Sequence, residues 1–202
     1  MAEPVQSSSA GPPSVGRNVT MLAGVAVAAA AALVALAWLS TSLAVRKPIA
    51  PDGGPRAGRA MAPAFSLRSL RGPDQISLAE FRGKTVMINF FASWCKPCEL
   101  EAADLQRTWR DYENRGDVIF LGVAIQDEYS AAKGFLDKHG LTYPAVFDAG
   151  SSLMQTYRIT GIPTTIVVDP EGRVASRYAG TFLGDQGRAA LRSRIDAARS
   201  PK

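Results

Sequence analysis

Two cysteines, the only ones in this chain of 202 residues, lie close together in a Trp-Cys-Lys-Pro-Cys sequence at residues 94–98. They follow an apolar run at residues 85–91 and precede a helix-like run from residue 99 to residue 112. Two thiols with two residues between them can open and close a small-ring disulfide, and the N-terminus of a helix stabilises a thiolate. The spacing of Cys95 and Cys98 therefore predicts the chemistry of a dithiol redox catalyst.

The helix that follows assigns a different role to each sulfur. Cys98 begins an apolar stripe that would face a sheet, and the stripe continues with Ala102, Leu105, Trp109 and Tyr112. Cys95 lies at the mouth of the helix, so we expect it to be the exposed sulfur and the attacking nucleophile. Lys96 is expected to favour the thiolate, and Pro97 falls in the first turn, where its missing N–H costs no hydrogen bond.

The expected reaction is thiol–disulfide exchange, in which Cys95 attacks a substrate disulfide and Cys98 then displaces the substrate. A structural disulfide and half of a metal site are the alternatives for the pair. Zinc normally takes four ligands, whereas the chain offers two cysteines and one distant histidine, His139. We therefore expect no metal, and no cofactor other than the redox-active disulfide itself.

The N-terminal third has a composition unlike the rest of the chain. Residues 1–18 are rich in Ser, Pro, Gly and Ala, which predicts a disordered tail. Residues 19–45 carry no charge and exceed the about 20 apolar residues that span a bilayer, so we expect a transmembrane helix or signal anchor. A cleaved signal peptide is the alternative, since residues 42–44 resemble a cleavage site. Residues 46–63 read as a flexible linker before a globular domain at residues 64–202.

The side of the membrane that the domain faces is predicted from two conflicting signals. One basic residue, Arg17, precedes the predicted span and four follow it closely, which by the positive-inside rule would place the domain in the cytoplasm. Cysteine usage favours the opposite side, because no stray thiol exists to mispair in an oxidising compartment. We expect an extracytoplasmic, membrane-anchored domain.

The net charge of +5 does not indicate nucleic-acid binding. The linker region carries much of it, and residues 61–202 hold 18 basic and 16 acidic residues. No basic face with aromatic platforms is visible, so nucleic acid is not an expected partner.

Hydrophobic patterning predicts strands that alternate with helices. We expect strands at residues 65–70, 84–91, 118–125 and 145–147, and a hairpin of 164–168 with 173–178 around an Asp-Pro-Glu-Gly turn. Ser77 and Glu80 form a capping box that opens a helical turn. Further helices are expected at 99–112, from a cap at Ser130 to His139, at 152–157 and at 185–198. This order indicates an α/β fold with a central mixed sheet flanked by helices.

These residues resemble a known family. The 94–98 motif after an apolar strand, with Gly-Ile-Pro-Thr at 161–164 before a later strand, is similar to the thioredoxin fold. Residues 91–101, together with 64–67 and 76–84, more closely resemble the membrane-tethered thiol–disulfide oxidoreductases of the TlpA/ResA/CcmG group. Thioredoxin carries a buried aspartate six positions before its first cysteine, whereas this chain has Asn89 there, so a proton acceptor at that position is not expected.

The resemblance implies roles for four further residues. Glu101 lies one turn after Cys98, and an acid at this spacing is expected near the cysteine pair, where partial burial would raise its pKa and let it exchange protons with a departing thiolate. The Ile162–Pro163 bond is expected to be cis and to face the cysteines, with Ile162 binding an extended substrate strand. Trp94 is expected either to pack or to form a flat apolar platform beside the active sulfur.

Three functions follow from these observations. The first is an anchored oxidoreductase acting on protein disulfides, as a reductant, for example in cytochrome c maturation; outside the cytoplasm it would need a membrane thiol-electron carrier as a partner. The second is a thiol peroxidase, which the Ala-Ser-Trp-Cys sequence at 92–95 disfavours because peroxidases of this fold have Thr-x-x-Cys. The third is an anchored binding module in which the cysteines only staple the fold.

Overall fold

The structure, a computed structural model, describes residues 58–199. The predicted tail, the predicted membrane span and most of the predicted linker lie outside the described residues. Seven strands run in chain order: β1 (Ser66–Ser69), β2 (Gln75–Ser77), β3 (Thr85–Phe91), β4 (Val118–Ile125), β5 (Ala145–Asp148), β6 (Thr164–Val168) and β7 (Val174–Ala179). The α-helices are α1 (Lys96–Arg110), α2 (Tyr129–Lys138), α3 (Ser152–Thr156) and α4 (Gly184–Ala198), and a 3-10 helix covers Leu78–Phe81. None of the helices between residues 58 and 199 is long and apolar enough to cross a membrane.

The strands form one mixed sheet in the order β2-β1-β5-β4-β3-β6-β7. Strand β4 lies parallel to β3 and to β5, and β6 lies antiparallel to β3. The two central strands, β3 and β4, are apolar along most of their length because helices cover both faces of the sheet. The predicted α/β architecture with a mixed sheet flanked by helices is confirmed.

Two apolar clusters hold the layers together. The cluster on one face takes buried side chains from α1, α2 and α4 and packs them on the odd-numbered positions of β3, such as Met87 and Phe91. The cluster on the opposite face takes Leu153 of α3 and Leu78 of the 3-10 helix and packs them on the even-numbered positions of β3. The alternation along β3 thus decides which of its side chains meet α1, the helix that carries the cysteines.

Most of the predicted elements are confirmed, and two need correction. The capping box is present, since Glu80 Oε1 accepts from the Ser77 N–H at 2.7 Å and Ser77 Oγ accepts from the Ala79 N–H at 3.3 Å. The predicted hairpin forms, with Gly172 at φ 82° in its turn. Strand β2 was not predicted, because it is three residues long and is defined only by its pairing with β1. Ser130 does not cap α2, which begins at Tyr129 after Glu128.

The last residues of the predicted linker contact the domain. The Ala62 N–H donates to the Gly172 carbonyl at 2.9 Å, and Met61 forms an isolated antiparallel bridge with Arg173, the residue before β7. These contacts extend the hydrogen-bonded structure a few residues before residue 64.

Candidate active site

A disulfide joins Cys95 and Cys98 at the N-terminus of α1. Cys95 is the N-cap residue, and its sulfur accepts a hydrogen bond from the Cys98 N–H at 3.2 Å. Pro97 lies in the first turn of the helix, as predicted. After reduction, a thiolate at Cys95 would therefore keep a backbone donor and the positive end of the helix dipole, both of which stabilise negative charge.

Both sulfur-bearing residues are buried in this oxidised state. The exposed fraction is 3% for Cys95 and 2% for Cys98, so the expectation of an exposed first sulfur is wrong for the disulfide form. The apolar stripe of α1 is confirmed, since Cys98, Ala102 and Leu105 are all nearly inaccessible. Helical periodicity identified the buried face correctly, but it did not predict that the N-cap residue Cys95 is buried as well.

The cation beside the disulfide is already paired. Lys96 Nζ lies 2.8 Å from Glu99 Oε2, and Lys138 Nζ of α2 lies 2.9 Å from the other oxygen of the same carboxylate. Hydrogen bonds from these two lysines lower the pKa of Glu99 to about 2, so it stays ionised. The charge that Lys96 offers to a thiolate is thus partly neutralised by its neighbour.

Glu101 is a fully buried acid one turn after Cys98. Its Oε1 accepts from Asn89 Nδ2 at 3.0 Å, and its Oε2 accepts from the Phe182 N–H at 3.0 Å. Burial raises the pKa of Glu101 to about 7, and the two hydrogen bonds act against that rise. A carboxyl group that titrates near neutral pH, on the same helix face as Cys98, can accept or return a proton under physiological conditions.

Asn89 is a site residue whose contact the sequence did not reveal. It lies on β3, on the face that meets α1, and it is 2% exposed. Its amide also donates to Thr165 Oγ1 at 3.2 Å, and Thr165 is its paired residue on β6. The sequence excluded a proton acceptor at this position; the structure places there a neutral donor for the Glu101 carboxylate.

The Ile162–Pro163 peptide bond is cis, as the resemblance implied. Register places it at the sheet end that carries the cysteines, because Thr164 pairs with Phe90 near the C-terminus of β3. Ile162 is half-buried and packs against both apolar clusters. Among the described residues, its backbone N–H and C=O groups make no hydrogen bond to another residue.

The loop before Cys95 is held by hydrogen bonds from Ser93 and Trp94 to Asp127 and Gln126, and these contacts are called the clasp below. The sequence did not reveal them. Asp127, which follows β4, accepts from the Ser93 N–H at 2.5 Å and from Ser93 Oγ at 2.7 Å. The indole N–H of Trp94 donates to the Gln126 carbonyl at 2.7 Å. The Trp94 side chain remains 62% exposed, so its ring offers an open apolar surface beside the disulfide.

The residues that carry the site come from five separate segments. The cysteines and Glu101 belong to the start of α1, Asn89 to β3, the clasp to the end of β4, the cis proline to the start of β6 and Phe182 to the loop before α4. Between residues 58 and 199, no group of three or more His, Cys, Asp or Glu side chains could hold a metal ion. The arrangement supplies two sulfurs, a proton-exchanging carboxyl group and an open backbone edge.

Comparison with known proteins agrees with this geometry. A model of the AhpC/TSA family matches residues 59–177. The thiol-disulfide oxidoreductase ResA of Geobacillus kaustophilus is 34% identical over 121 residues, which cover 60% of this chain and 68% of that protein. ResA of Bacillus thuringiensis strain Al Hakam is 32% identical over 125 residues, which cover 62% and 71%.

A solved structure of a thiol:disulfide interchange protein of the thioredoxin family from Chlorobium tepidum is also similar. It superposes with a TM-score of 0.62 at 29% identity, over 71% of this chain and 99% of that one. The sequence-based expectations of a thioredoxin-like fold and of thiol–disulfide exchange are thereby confirmed. The chain belongs to the AhpC/TSA family, and it is a thiol–disulfide oxidoreductase homologous to ResA.

Proposed function

We propose that this oxidoreductase works as a reductant of protein disulfides on the extracytoplasmic side of the membrane. The observation that carries the direction of electron flow is the buried carboxyl group of Glu101 behind Cys98. A strong oxidant of this fold is one whose reduced, thiolate form is stabilised. Here an ionised Glu101 would repel a thiolate, and Lys96 is already paired with Glu99, so the reduced form gains little stabilisation and gives up its electrons readily.

The exchange proceeds in two steps with the electrons balanced. The Cys95 thiolate attacks one sulfur of the substrate disulfide, and the other substrate sulfur leaves as a thiolate that takes a proton from solvent. Cys98 gives its proton to Glu101, and its sulfur then attacks Cys95 and breaks the mixed disulfide. Two electrons pass to the substrate, and Glu101 returns the proton to the second substrate sulfur as it leaves.

The substrate surface follows from the loop residues around the disulfide. The open N–H and C=O of Ile162 can pair with an extended polypeptide segment, as an added strand pairs with a sheet edge. The exposed Trp94 ring gives that segment an apolar contact beside Cys95. Extended protein segments that carry a disulfide, such as those of an apocytochrome c before haem attachment, fit this surface.

Anchoring and location are part of the proposal and rest on the sequence. The uncharged run at residues 19–45 would tether the domain, and the presence of two cysteines alone suits an oxidising compartment. A reductant in that compartment must be re-reduced, so we propose a membrane protein with its own dithiol as the electron donor.

The reduction potential tests the direction of electron flow. The protein is equilibrated in glutathione buffers of known potential, and its free thiols are counted by alkylation and mass spectrometry. We expect a value nearer the about −270 mV of thioredoxin than the about −120 mV of DsbA. A value above about −180 mV would make the protein an oxidant instead.

Trapping tests the roles of the two sulfurs and the alternatives. Cys98→Ser should accumulate a mixed disulfide with client proteins, whereas Cys95→Ser should accumulate none and should lose turnover. No turnover in wild type, together with a Cys95→Ser variant that loses stability but still binds its partner, would support the binding module. Peroxide consumption faster than disulfide reduction would support the peroxidase, although Ala92 provides no hydroxyl group where that class has threonine.

Location is tested separately from the chemistry. Intact cells that express Cys98→Ser, which leaves Cys95 as the one cysteine, are treated with a reductant to release mixed disulfides and then with a membrane-impermeant thiol reagent. Labelling in intact cells supports an extracytoplasmic domain, and labelling only after lysis would place the domain inside. Deletion of residues 1–45 should release the protein from the membrane fraction.

A further inference from the structure

We propose that Asn89 is a positioning residue for thiol–disulfide exchange: its side-chain amide holds the Glu101 carboxylate behind Cys98. The inference deepens the proposed function, because it depends on Glu101 exchanging protons with the cysteine pair. The residues that carry it come from α1, β3, β6 and the loop before α4.

The contacts around Glu101 leave its carboxylate little freedom. Each oxygen accepts one hydrogen bond, Oε1 from Asn89 Nδ2 and Oε2 from the Phe182 N–H, both at 3.0 Å. Asn89 is itself fixed, because its amide reaches Thr165 Oγ1 on the paired strand. The two donors belong to different elements and bind different oxygens, so together they fix the orientation of the carboxylate.

The choice of an amide at position 89 has a chemical reason. An ionised carboxylate can only accept hydrogen bonds, and the amide N–H of asparagine supplies a donor without adding a charge. The amide therefore favours the ionised form of Glu101, the form that accepts a proton from Cys98.

Titratable groups near Glu101 come from α1 and from the segment before β5. Burial raises the pKa of Tyr143, in the segment before β5, and the charge of an ionised Glu101 raises it further. Cys98 lies one turn from Glu101 on α1. Strands β3 and β6 and the loop before α4 present neutral donors to the pocket: Asn89, Thr165 and the Phe182 N–H. The hydrogen bond from the Phe182 N–H and, after it, the one from Asn89 oppose the rise in the Glu101 pKa that burial causes.

The test compares the pH dependence of disulfide reduction in four single variants and one double variant of the full chain. Asn89→Leu removes the amide at similar volume, and Asn89→Asp replaces the donor with a second carboxylate of the same shape. In Asn89→Leu the midpoint of the pH–rate profile should move upward by about one pH unit, because the ionised carboxylate loses a donor. In Asn89→Asp it should move further, because two adjacent carboxylates resist double ionisation.

Gln106→Leu is the matched control. Gln106 is another buried amide, on the same helix, but it bonds Thr142 and does not touch Glu101. It should cost stability while leaving the midpoint in place. A shift in Gln106→Leu as large as that in Asn89→Leu would mean that general loosening of α1 explains both, and would overturn the inference.

Glu101→Gln separates this inference from the proposed function. If Glu101→Gln leaves the profile unchanged, the proton-carrying role of Glu101 fails, and the Asn89 role fails with it. If Glu101→Gln abolishes the neutral transition but neither Asn89 variant moves it, only the positioning role fails. The inference is supported when Asn89→Leu shifts the midpoint in a protein that keeps Glu101 and causes no shift in the double variant with Glu101→Gln. Should Asn89→Leu not fold, Asn89→Asp decides on the same criteria.

Discussion

The buried carboxyl group of Glu101 makes a prediction about stability that does not depend on any substrate. Its pKa is raised from 4.5 to about 7 by burial, so the folded protein holds the proton more tightly than the unfolded chain does. For an acid with a raised pKa, the contribution to stability is full at low pH and is lost as the pH rises from about 4.5 to about 7. We therefore expect Glu101 to make the fold less stable at pH 8 than at pH 4.5.

The magnitude follows from the size of the pKa change. Each pKa unit corresponds to about 1.4 kcal/mol, so the rise to about 7 is equivalent to about 3 kcal/mol. Glu101→Gln keeps the shape of the side chain and removes the titration. Relative to wild type, the variant should gain about 3 kcal/mol of unfolding free energy between pH 4.5 and pH 8, a shift of about 1–2 M in the urea midpoint.

The assay is urea unfolding of the oxidised protein, followed by circular dichroism at several pH values. The oxidised form is essential, because disulfide-bonded cysteines do not titrate. His139 has a pKa lowered mainly by burial, which makes stability rise with pH, but wild type and variant share this effect. Glu113→Gln is the control, since Glu113 is an exposed acid just beyond α1.

The prediction is tested by comparing how the unfolding free energies of wild type and Glu101→Gln change with pH. Parallel loss of stability in wild type and Glu101→Gln from pH 4.5 to pH 8 would refute the raised pKa. A similar gain in Glu113→Gln would show that overall charge, and not the buried site, causes the effect.

Three further predictions concern the surroundings of the disulfide. Asp127→Asn should slow turnover several-fold with little loss of binding, because one Asp127 oxygen can no longer accept from Ser93; an unchanged turnover number would show that the clasp does not position the loop. Trp94→Ala should raise KM for protein substrates while leaving reduction of a small disulfide unchanged, since the ring is an exposed contact; equal losses for both would contradict this. Glu99→Gln should lower the Cys95 thiol pKa, measured by alkylation rate against pH, because two lysine charges would lose their partner; an increase would contradict the electrostatic argument.

The elements that could be predicted from the sequence are those with a strong local signal. Strand β4 is a continuous apolar run, and the hairpin of β6 and β7 is set by a four-residue turn, so both were predicted closely. Strand β2 escaped because Gln75–Ser77 has no apolar alternation of its own. Local patterns identify a segment whose own apolar periodicity marks it as a strand or helix. They miss a strand, such as β2, that is defined only by its pairing with another strand.

The residues of the site also divide into those that local spacing predicted and those that depend on contacts distant in sequence. The positions of Cys98 and Glu101 on α1 follow from helical spacing, and the burial of Glu101 agrees with its place beside the apolar stripe. The contact of Asn89 with Glu101 joins residues from β3 and α1 across a sequence gap of 12, and that of Phe182 spans 81. Such contacts depend on how helices settle on the sheet, which composition and spacing do not determine.

The scattered origin of the site limits what can be transplanted from it. A Cys-Lys-Pro-Cys segment grafted onto another helix would bring its two sulfurs and the N-cap contact, since both are local. It would leave behind the Asp127 clasp, and a carboxyl group three residues on would lose both of its donors. Engineering this chemistry into a new scaffold would therefore require the β3 and β6 pairing and the loop before α4 as one unit. The four-residue segment supplies only the two sulfurs that exchange electrons, and the rest of the fold supplies the contacts that position the proton-exchanging carboxyl group.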